Sequence, residues 1–243
     1  MAVRLLVSSL DKRNNREVQD ALPFFIGTNM ERIIVAINGT IGSGKDTFSE
    51  AFIDAGYTRM SFATTLKDAV SVIFGWDREM LEGNTEESRK IRETRDEYWS
   101  NKLGGDITPR WVLQHFGTDC VRRHFNDNMW VYALENHMRH IDGNIIITDC
   151  RFPNELKMLR ENNAHLIEVQ RNLPSWYNKA KAYNMLISQG KDVSKPTELE
   201  DVHPSEWAWI GLNTGANVVQ NNSSIEELRK KADWIRHGIE DSK

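Results

Sequence analysis

The chain has 243 residues, of which 40% are hydrophobic and 27% charged, and its formal net charge is −4. A chain of this length and composition can bury a sizeable core, either as one α/β domain with insertions or as two small domains. The slightly acidic charge excludes the overall basic surface of proteins that bind a nucleic-acid polymer, and no apolar run reaches the ~18 residues that a membrane span requires.

The first thirty residues differ in character from the rest of the chain. A short apolar patch gives way to a charged stretch, and a clear strand signal begins only after Met30. We interpret residues 1–30 as an N-terminal extension of uncertain role, with Met30 as a candidate alternative start, and residues 31–243 as the folded domain. The extension lacks a sustained apolar region, so no signal peptide is predicted. Cys120 and Cys150 have neither a disulfide nor a metal-binding spacing, which is typical of a reducing cytoplasm.

A strand, a glycine-rich loop and a helix follow one another at the start of the predicted domain. Residues 33–37, IIVAI, form an apolar run typical of a strand buried on both faces of a parallel sheet. The loop GTIGSGKDT fits the phosphate-binding pattern G-x-x-x-x-G-K, and an amphipathic helix then runs to a stop at Gly56. Backbone N–H groups and the helix dipole in such a P-loop hold nucleotide phosphates. The predicted ATP-binding residues are Gly39, Gly42, Ser43, Gly44, Lys45, Asp46 and Thr47.

The residue after Lys45 departs from the usual pattern. A hydroxyl that binds Mg²⁺ normally follows the lysine, but Asp46 stands there and the hydroxyl comes one residue later, on Thr47. The Asp46 carboxylate would repel phosphates unless it points away or reaches the Mg²⁺ shell. A lysine, one spacer and a threonine is similar to the loop of nucleoside monophosphate kinases, and it indicates small-molecule phosphoryl transfer rather than a GTPase or a mechanical ATPase.

The next segment is mainly helical. Residues 57–63 resemble a second short strand, and a helix follows through LKDAVSVIF. The charge-rich stretch from Gly75 to about Gly105 is typical of a solvated helix with i,i+4 charge pairs. Pro109 suits the first position of another helix, and MWVYALENHMRHI is predicted to form one more. Residues of about 75–140 are therefore predicted to be mainly helical.

Strands and helices alternate again toward the C-terminus. Residues 145–147 form a second core strand that ends in Asp149, a short amphipathic helix follows, and residues 164–171 form a third strand that ends in Arg171. Residues 172–205 lose periodicity and are predicted to leave the core. The chain closes with a strand, an Asn-rich turn and a helix for which Ser224 and Glu227 predict a capping box. This alternation predicts an α/β fold with a mainly parallel sheet.

Several segments together resemble the deoxynucleoside monophosphate kinases of tailed bacteriophages. They occur in the same order as in that family, extend over most of residues 31–235, and read SGKDT, YTRMSFATTLKDAV, LQHFGTDCVRRHFNDNMWV, TDCRFPNE, HPSE and NVVQNNSSIEEL. The resemblance implies a P-loop kinase domain: a parallel sheet flanked by helices, with a helical acceptor-binding insertion at about 75–140 and a mobile lid at about 172–205. It also implies transfer of the ATP γ-phosphoryl group, with Mg²⁺, to a deoxynucleoside 5′-monophosphate for DNA precursor synthesis. A homodimer and the cytoplasm, of the host for a phage protein, are further expectations.

The donor side of such a reaction needs positive charge and a metal ligand. Lys45 and the loop amides would take the donor phosphates. Asp149 lies where ligands of parallel sheets bind, so it is a candidate for a water-mediated magnesium contact, and Asp46 and Thr47 are the other candidate metal ligands. The alternative for Asp149 is the N-cap of the helix that follows. Arg151 and Arg171 would stabilise the transferring group, and ordinary surface arginines are the alternative.

The acceptor should lie opposite, against the region after the second strand. The predicted acceptor-binding residues are Lys67, Arg92, Arg95, Gln114, Asp119, Trp130, His203 and Glu206. Trp130 would stack on a base, as Trp76 also could, but a tryptophan in a helix is more often part of the core. The spacing of His203 and Glu206 is not that of a metal site, so both are interpreted as substrate or lid contacts. Lys179, Lys181, Lys191 and Lys195 lie in the candidate lid, for which a plain surface loop is the alternative.

Two rival interpretations stay open at this point. One is a P-loop kinase for another small acceptor, such as dephospho-coenzyme A or phosphomevalonate, or for a polynucleotide end. The other is a nucleotide-binding module without catalytic activity that recruits a partner. The combination of Lys45, Asp149, Arg151 and a lid disfavours the second.

Overall fold

Five parallel strands form the central sheet in the computed structural model, which describes residues 32–242. In chain order they are β1 (Ile34–Asn38), β2 (Thr58–Met60), β3 (Ile145–Ile147), β4 (His165–Gln170) and β5 (Asn217–Gln220), and they lie side by side in the order β2-β3-β1-β4-β5. Val35 of β1 pairs with Ile146 on one side and His165 on the other. All five residues of β1 are buried, as the apolar run predicts. The predictions for residues 1–30 and for Met30 lie outside the described residues.

Helices cover both faces of this sheet. They are α1 (Lys45–Asp54), α2 (Thr64–Phe74), α3 (Glu86–Glu93), α4 (Glu97–Leu103), α5 (Pro109–Gln114), α6 (Met129–Met138), α7 (Pro153–Glu161), α8 (Tyr177–Ser188), α9 (Pro204–Trp207) and α10 (Ile225–Asp241). A π-helical segment, His115–Arg122, continues α5, and a 3₁₀ turn spans Thr197–Leu199. Among the described helices, none combines the length and apolar composition that would let it cross a membrane.

The core has three parts, and each covers a different surface. Phe48 and Phe52 of α1 pack with Leu228 of α10 on one face of the sheet. Leu134, Leu156 and Ala180, from α6, α7 and α8, pack on the other face. A third cluster joins α2 to the helical insertion and includes Leu66, Val70, Leu81, Ile107, Leu113 and Trp130. The prediction of a parallel sheet flanked by helices is thus confirmed.

The charge-rich stretch after Gly75 is not the single solvated helix that its charge pattern predicts. It contains two short helices, each with its own cap: Thr85 accepts a hydrogen bond from Ser88 N, and Asp96 accepts one from Trp99 N. Leu81, fully buried, anchors the turn before them. The prediction was wrong because i,i+4 charge pairs report helix propensity, whereas the caps decide where a helix begins.

Residues 177–188 also differ from the prediction, because they are not irregular. They form α8, with Tyr177, Ala180 and Asn184 buried against the rest of the protein. Asn184 Nδ2 donates to the carbonyl oxygens of Trp207 and Ile210 at 2.8 and 2.9 Å. The buried positions have helical spacing, but tyrosine, alanine and asparagine give a weak apolar signal.

Predictions at two other helix ends are settled by side-chain contacts. Pro109 opens α5, and Thr108 caps it by accepting a hydrogen bond from Trp111 N, which confirms the predicted start. Ser224 caps α10 by accepting a hydrogen bond from Glu227 N at 3.3 Å. The Ser224 half of the predicted capping box is therefore present.

Candidate active site

The glycine-rich loop has the geometry of a tight backbone cradle. A Cβ atom on Gly39 would lie 2.3 Å from Ser43 Oγ and 2.7 Å from the carbonyl oxygen of Val169. Gly44, directly before α1, has a φ of 92°, and a Cβ there would lie 2.4 Å from Asn221 Nδ2. Both positions therefore require glycine.

Asn221 holds this loop in place from the far end of the chain. Its Nδ2 donates to the carbonyl oxygen of Ser43 at 2.8 Å, and its backbone N–H donates to the carbonyl oxygen of Gln170. The sequence prediction missed Asn221. Its position directly after β5, at the carboxyl edge of the sheet, was the only available signal.

Three buried polar atoms around the loop lack a hydrogen-bond partner among the described residues. They are Asn38 Oδ1, Thr40 Oγ1 and Ser43 Oγ, and each of these residues is at most 5% exposed. Buried polar atoms are nearly always satisfied in native proteins, so such a cluster indicates a site that a ligand completes. An anion with several oxygens, such as a chain of phosphates, fits the two hydroxyl groups and the loop amides.

Lys45, the first residue of α1, carries its charge in a desolvated position. Burial lowers the pKa of its ammonium group; the carboxylate of Asp46 opposes that shift, and the nearby charge of Arg151 adds to it. Glu206 and Asp149 also act on this pKa, so all of these groups lie within electrostatic range of Lys45. A partly buried cation within range of another cation attracts phosphate strongly.

Asp46 faces an arginine that was not predicted. Its Oδ1 lies 3.1 Å from Nη2 of Arg59, and the same nitrogen donates to Thr148 Oγ1 at 3.1 Å. The carboxylate is therefore drawn toward β2, which weighs against its predicted contact with the magnesium shell. Thr47, one residue on, is half-buried in the first turn of α1.

Replacing Asp46 with asparagine is expected to change the Mg²⁺ concentration for half-maximal activity by less than about fivefold, because the carboxylate faces Arg59 and an exposed ion pair contributes only about 0–1 kcal/mol. Titrating Mg²⁺ against turnover checks this. Thr47→Ala serves as the comparison, and we expect it to raise the Mg²⁺ concentration for half-maximal activity clearly. A rise of more than about tenfold for Asp46→Asn would show that the carboxylate does reach the metal.

Asp149 is fixed by the turn between β2 and α2. Its Oδ2 accepts hydrogen bonds from Ser61 Oγ at 2.5 Å and Ala63 N at 3.0 Å, and its Oδ1 accepts one from Phe62 N at 3.1 Å. The alternative of an N-cap for α7 is wrong, because that helix begins after Phe152 and the hydrogen bonds that Asp149 accepts come from Ser61, Phe62 and Ala63. Asp149 thus holds the turn between β2 and α2 at the sheet edge and lies within electrostatic range of Lys45.

Arg151 reaches across the site from the turn that precedes α7. Its Nη1 donates to Glu206 Oε1 at 3.0 Å and to the carbonyl oxygen of Ser205 at 3.3 Å. Its charge lowers the pKa of both Lys45 and Arg92, so it lies within electrostatic range of both the loop and the helical insertion. Arg171 is exposed at the end of β4.

A second group of cations gathers on the helical insertion. Burial lowers the pKa of Arg92, and the charges of Arg110 and Arg151 lower it further. Its Nη1 donates to the carbonyl oxygen of Glu82 at 3.3 Å, while its buried Nε has no partner among the described residues. Lys67 donates to Glu82 Oε2 at 2.6 Å. Arg110, which pairs with Glu93, was missed by the sequence prediction.

Two predicted acceptor residues have other partners in the structure. Arg95 lies on the surface, where it pairs with Glu97 and with Asp106 Oδ1, the latter at 3.0 Å. Trp130 is only 7% exposed, and its indole N–H donates to the carbonyl oxygen of Gly117 at 3.0 Å. These placements favour a structural role for each over a contact with the acceptor.

The remaining predicted residues lie near one another. Asp119 pairs with His115 at 3.0 Å and Arg123 at 3.3 Å, and Gln114 is half-buried one turn away. His203 caps α9 by accepting a hydrogen bond from Ser205 N. Burial lowers the pKa of His203, and Asp119 and Glu206 oppose that shift. Asp119 therefore lies within electrostatic range of His203, although it comes from a different element.

The family model described as deoxynucleotide monophosphate kinase matches residues 77–232. The chain belongs to this family. A protein of Acanthamoeba polyphaga mimivirus, provisionally named a deoxynucleotide monophosphate kinase, is 26% identical over 209 residues, which cover 81% of this chain and 92% of the relative. The deoxynucleoside-5′-monophosphate kinase of Escherichia phage T5 is 28% identical over 182 residues, which cover 54% of this chain and 73% of the relative.

Solved structures give looser matches. Dephospho-CoA kinase from Campylobacter jejuni is 16% identical with a TM-score of 0.40, covering 86% of this chain and 97% of that one. A gluconokinase from Sinorhizobium meliloti is 15% identical with a TM-score of 0.38, and the match covers 86% of this chain and 94% of the gluconokinase. The family assignment does not depend on these overlaps.

Membership of the deoxynucleotide monophosphate kinase family makes the protein a phosphotransferase and confirms the resemblance that its motifs indicated. The matched range contains Arg92, Arg110, Asp149, Arg151 and Glu206, while the glycine-rich loop lies before it. The assignment of that loop therefore rests on its own pattern and geometry.

The residues present fit a magnesium ion that arrives with a nucleotide. Such an ion takes one or two protein ligands and completes its shell with phosphate oxygens and water. Within residues 32–242 no group of three or more His, Cys, Asp or Glu side chains could hold a metal by itself. Thr47 and Asp149 would hold the ion beside the donor phosphates, where it would neutralise part of their charge.

Proposed function

We propose that the protein transfers the γ-phosphoryl group of ATP to a deoxynucleoside 5′-monophosphate and so produces the diphosphate. The observation that carries this proposal is the position of Arg151, which acts electrostatically on both Lys45 and Arg92. One guanidinium group would then serve both a donor site and an acceptor site for phosphate. The family names the acceptor class.

The residues divide between the two substrates. The loop amides, Ser43 and Lys45 would bind the donor phosphates, and Arg92 and Arg110 would bind the monophosphate of the acceptor. An acceptor oxygen then forms a bond to the γ-phosphorus while the bond to the leaving ADP oxygen breaks. Arg151 would stabilise the negative charge that spreads over the transferring group.

Water must be kept from the donor phosphates, since an open site would hydrolyse ATP. The exposed connection 189–196 between α8 and the 3₁₀ turn is the part of the candidate lid that suits this role. Lys195 lies there, with its Nζ 5.9 Å from the ring centroid of Trp207, so the connection lies close to the turn that carries Glu206. The same proposal places the enzyme in the supply of DNA precursors in the cytoplasm.

An ADP-release assay with ATP and Mg²⁺ tests the function. All four deoxynucleoside monophosphates are compared with ribonucleoside monophosphates, dephospho-coenzyme A, phosphomevalonate and a 5′-phosphorylated oligonucleotide. At least one deoxynucleoside monophosphate is expected to raise ADP release well above the background without acceptor. If none does so, the proposal is wrong, and a response to another acceptor would identify the rival kinase.

Arg110→Ala and Arg92→Ala are each expected to raise the KM for the deoxynucleoside monophosphate by about tenfold or more and to change the KM for ATP by less than about threefold. The reason is the loss of a charge-assisted hydrogen bond to the acceptor phosphate alone. Initial-rate kinetics with either substrate varied provide the measurement. Arg229→Ala, which removes an exposed arginine on α10 paired with Glu50, is the control. An equal rise in both KM values would contradict the division between donor and acceptor sites.

A further inference from the structure

We propose that the buried pair Arg122–Glu155 is a positioning device for Arg151: it fixes the backbone from which the Arg151 guanidinium reaches into the site. This inference rests on the proposed function only for the role of Arg151. Glu155 does not face the substrates in this arrangement, so it is a positioning residue and not a catalytic one.

Glu155 lies in the first turn of α7 with a side chain only 4% exposed. Its Oε2 accepts hydrogen bonds from the backbone N–H groups of Arg151 at 2.6 Å and Phe152 at 3.1 Å. Its Oε1 lies 3.1 Å from Nη1 of Arg122. The Glu155 carboxylate therefore binds the backbone of the Arg151 turn and links that turn to Arg122 in the π-helical segment.

Arg122 supplies the counter-charge from the end of the π-helical segment. Its side chain is 5% exposed, its Nε donates to Asp127 Oδ1 at 3.0 Å, and its Nη2 donates to Asn154 Oδ1 at 2.6 Å. Its guanidinium also lies 3.8 Å from the ring centroid of Phe152. Arg122 belongs to the segment that continues α5, so its contact with Glu155 joins the helical insertion to the turn of Arg151.

A buried ion pair is a poor way to gain stability, because desolvation offsets much of the attraction between the two charges. A pair of this kind is better explained by geometry that it imposes. Here the pair fixes the backbone that leads into α7. Arg151 lies on that backbone, and its side chain enters the site. A displacement of about 1 Å in such a group can lower a rate by about 10²-fold.

The charge state of Glu155 matters for the same reason. Burial raises the pKa of Glu155 to about 7; the N–H of Arg151 and the charge of Arg122 oppose this shift, and Asp149 adds to it. Two further titratable groups lie near this pair: Asp127, which binds Arg122, and the thiol of Cys150, whose pKa the charge of Glu155 raises. A protonated Glu155 would lose its charge interaction with Arg122 and have less capacity to accept the N–H groups of Arg151 and Phe152.

Kinetics of Glu155→Gln, Arg151→Ala and the double variant test the proposal in the full chain, with ATP, Mg²⁺ and the best deoxynucleoside monophosphate. We expect Glu155→Gln to lower kcat by about 10- to 100-fold with both KM values within about threefold. Because Glu155 acts through Arg151, the double variant should be no slower than Arg151→Ala. Losses that multiply would overturn the proposal, and so would a kcat of Glu155→Gln equal to that of the parent.

Loss of stability alone must be separated from loss of positioning. Ile239→Ala, at a buried position near the end of α10, is the control: its melting temperature should fall while its kcat per folded molecule stays unchanged. The pH profile is a further readout, since the decline of kcat below about pH 7 should be weaker in Glu155→Gln than in the parent. An identical decline in the two proteins would count against the proposal.

A crystal structure of Glu155→Gln gives an answer that does not depend on activity. The proposal requires that the Arg151 turn shifts and that its contact with Glu206 is lost or displaced. An unchanged Arg151 would overturn it. Inactivity of the parent protein with every deoxynucleoside monophosphate would instead overturn the proposed function, so the two failures are distinguishable.

Discussion

Lys45→Met is expected to lower kcat/KM for phosphoryl transfer by about 10²–10³-fold, while the melting temperature of the ligand-free protein stays the same or rises. A loss of this size is typical when an enzyme loses one preorganised charge or hydrogen-bond donor that stabilises the transition state. Methionine keeps most of the packing of the lysine stem and removes only the ammonium charge. The rate should therefore fall without any loss of stability.

The sign of the stability effect follows from the pKa of Lys45. Burial lowers this pKa below its ordinary value of 10.5, so the folded protein holds the proton less tightly than the unfolded chain does. Below the folded-state pKa the charged lysine thus destabilises the fold, and this penalty disappears as the pH rises from the folded-state pKa toward 10.5. The methionine variant should lack that pH dependence.

Thermal unfolding without nucleotide and initial rates with saturating acceptor measure the two effects. Lys157→Met, at an exposed position on α7, is the matched control and should change neither. Addition of ATP should raise the melting temperature of the parent more than that of Lys45→Met, because the phosphates compensate the buried charge. A variant that keeps its turnover would refute the assignment of the loop as the donor site.

The parts of the fold that could be predicted from sequence are those with short-range causes. The apolar runs of β1, β3 and β4 mark strands buried in a parallel sheet. The loop before α1 needs glycine at Gly44 for its positive φ and at Gly39 for the close approach of Ser43. Each of these requirements lies within a few residues of its cause, so it is visible without a structure.

The unpredicted parts of the site have partners far away in the chain. Asn221 supports a loop 178 positions earlier, and Ser61 fixes Asp149 across 88 positions. Glu155 meets Arg122 across 33 positions. No periodicity connects such residues, and their types are ordinary for surface loops. Arg110 was missed for a related reason, since a single arginine in a helix gives no signal of what it faces.

Arg151→Lys is expected to lower kcat by about 10²-fold or more and to change the KM values of both substrates by less than about threefold. Lysine keeps the positive charge, but it lacks the planar fork with which a guanidinium binds two phosphate oxygens at once. The lysine ammonium would also have to satisfy both Glu206 and the carbonyl oxygen of Ser205, which Arg151 Nη1 now contacts. Charge alone should therefore not restore the rate.

Comparison with Arg151→Ala separates geometry from charge. If the guanidinium fork stabilises the transition state, the kcat of Arg151→Lys should be much closer to that of Arg151→Ala than to that of the parent. The control Arg229→Lys, on the surface of α10, should have the kcat of the parent. A lysine variant with a parental kcat but a raised KM for both substrates would mean that Arg151 only attracts phosphate. In that case the stabilisation of the transferring group would have to come from elsewhere, and exposed Arg171, at the end of β4, would be the next residue to replace.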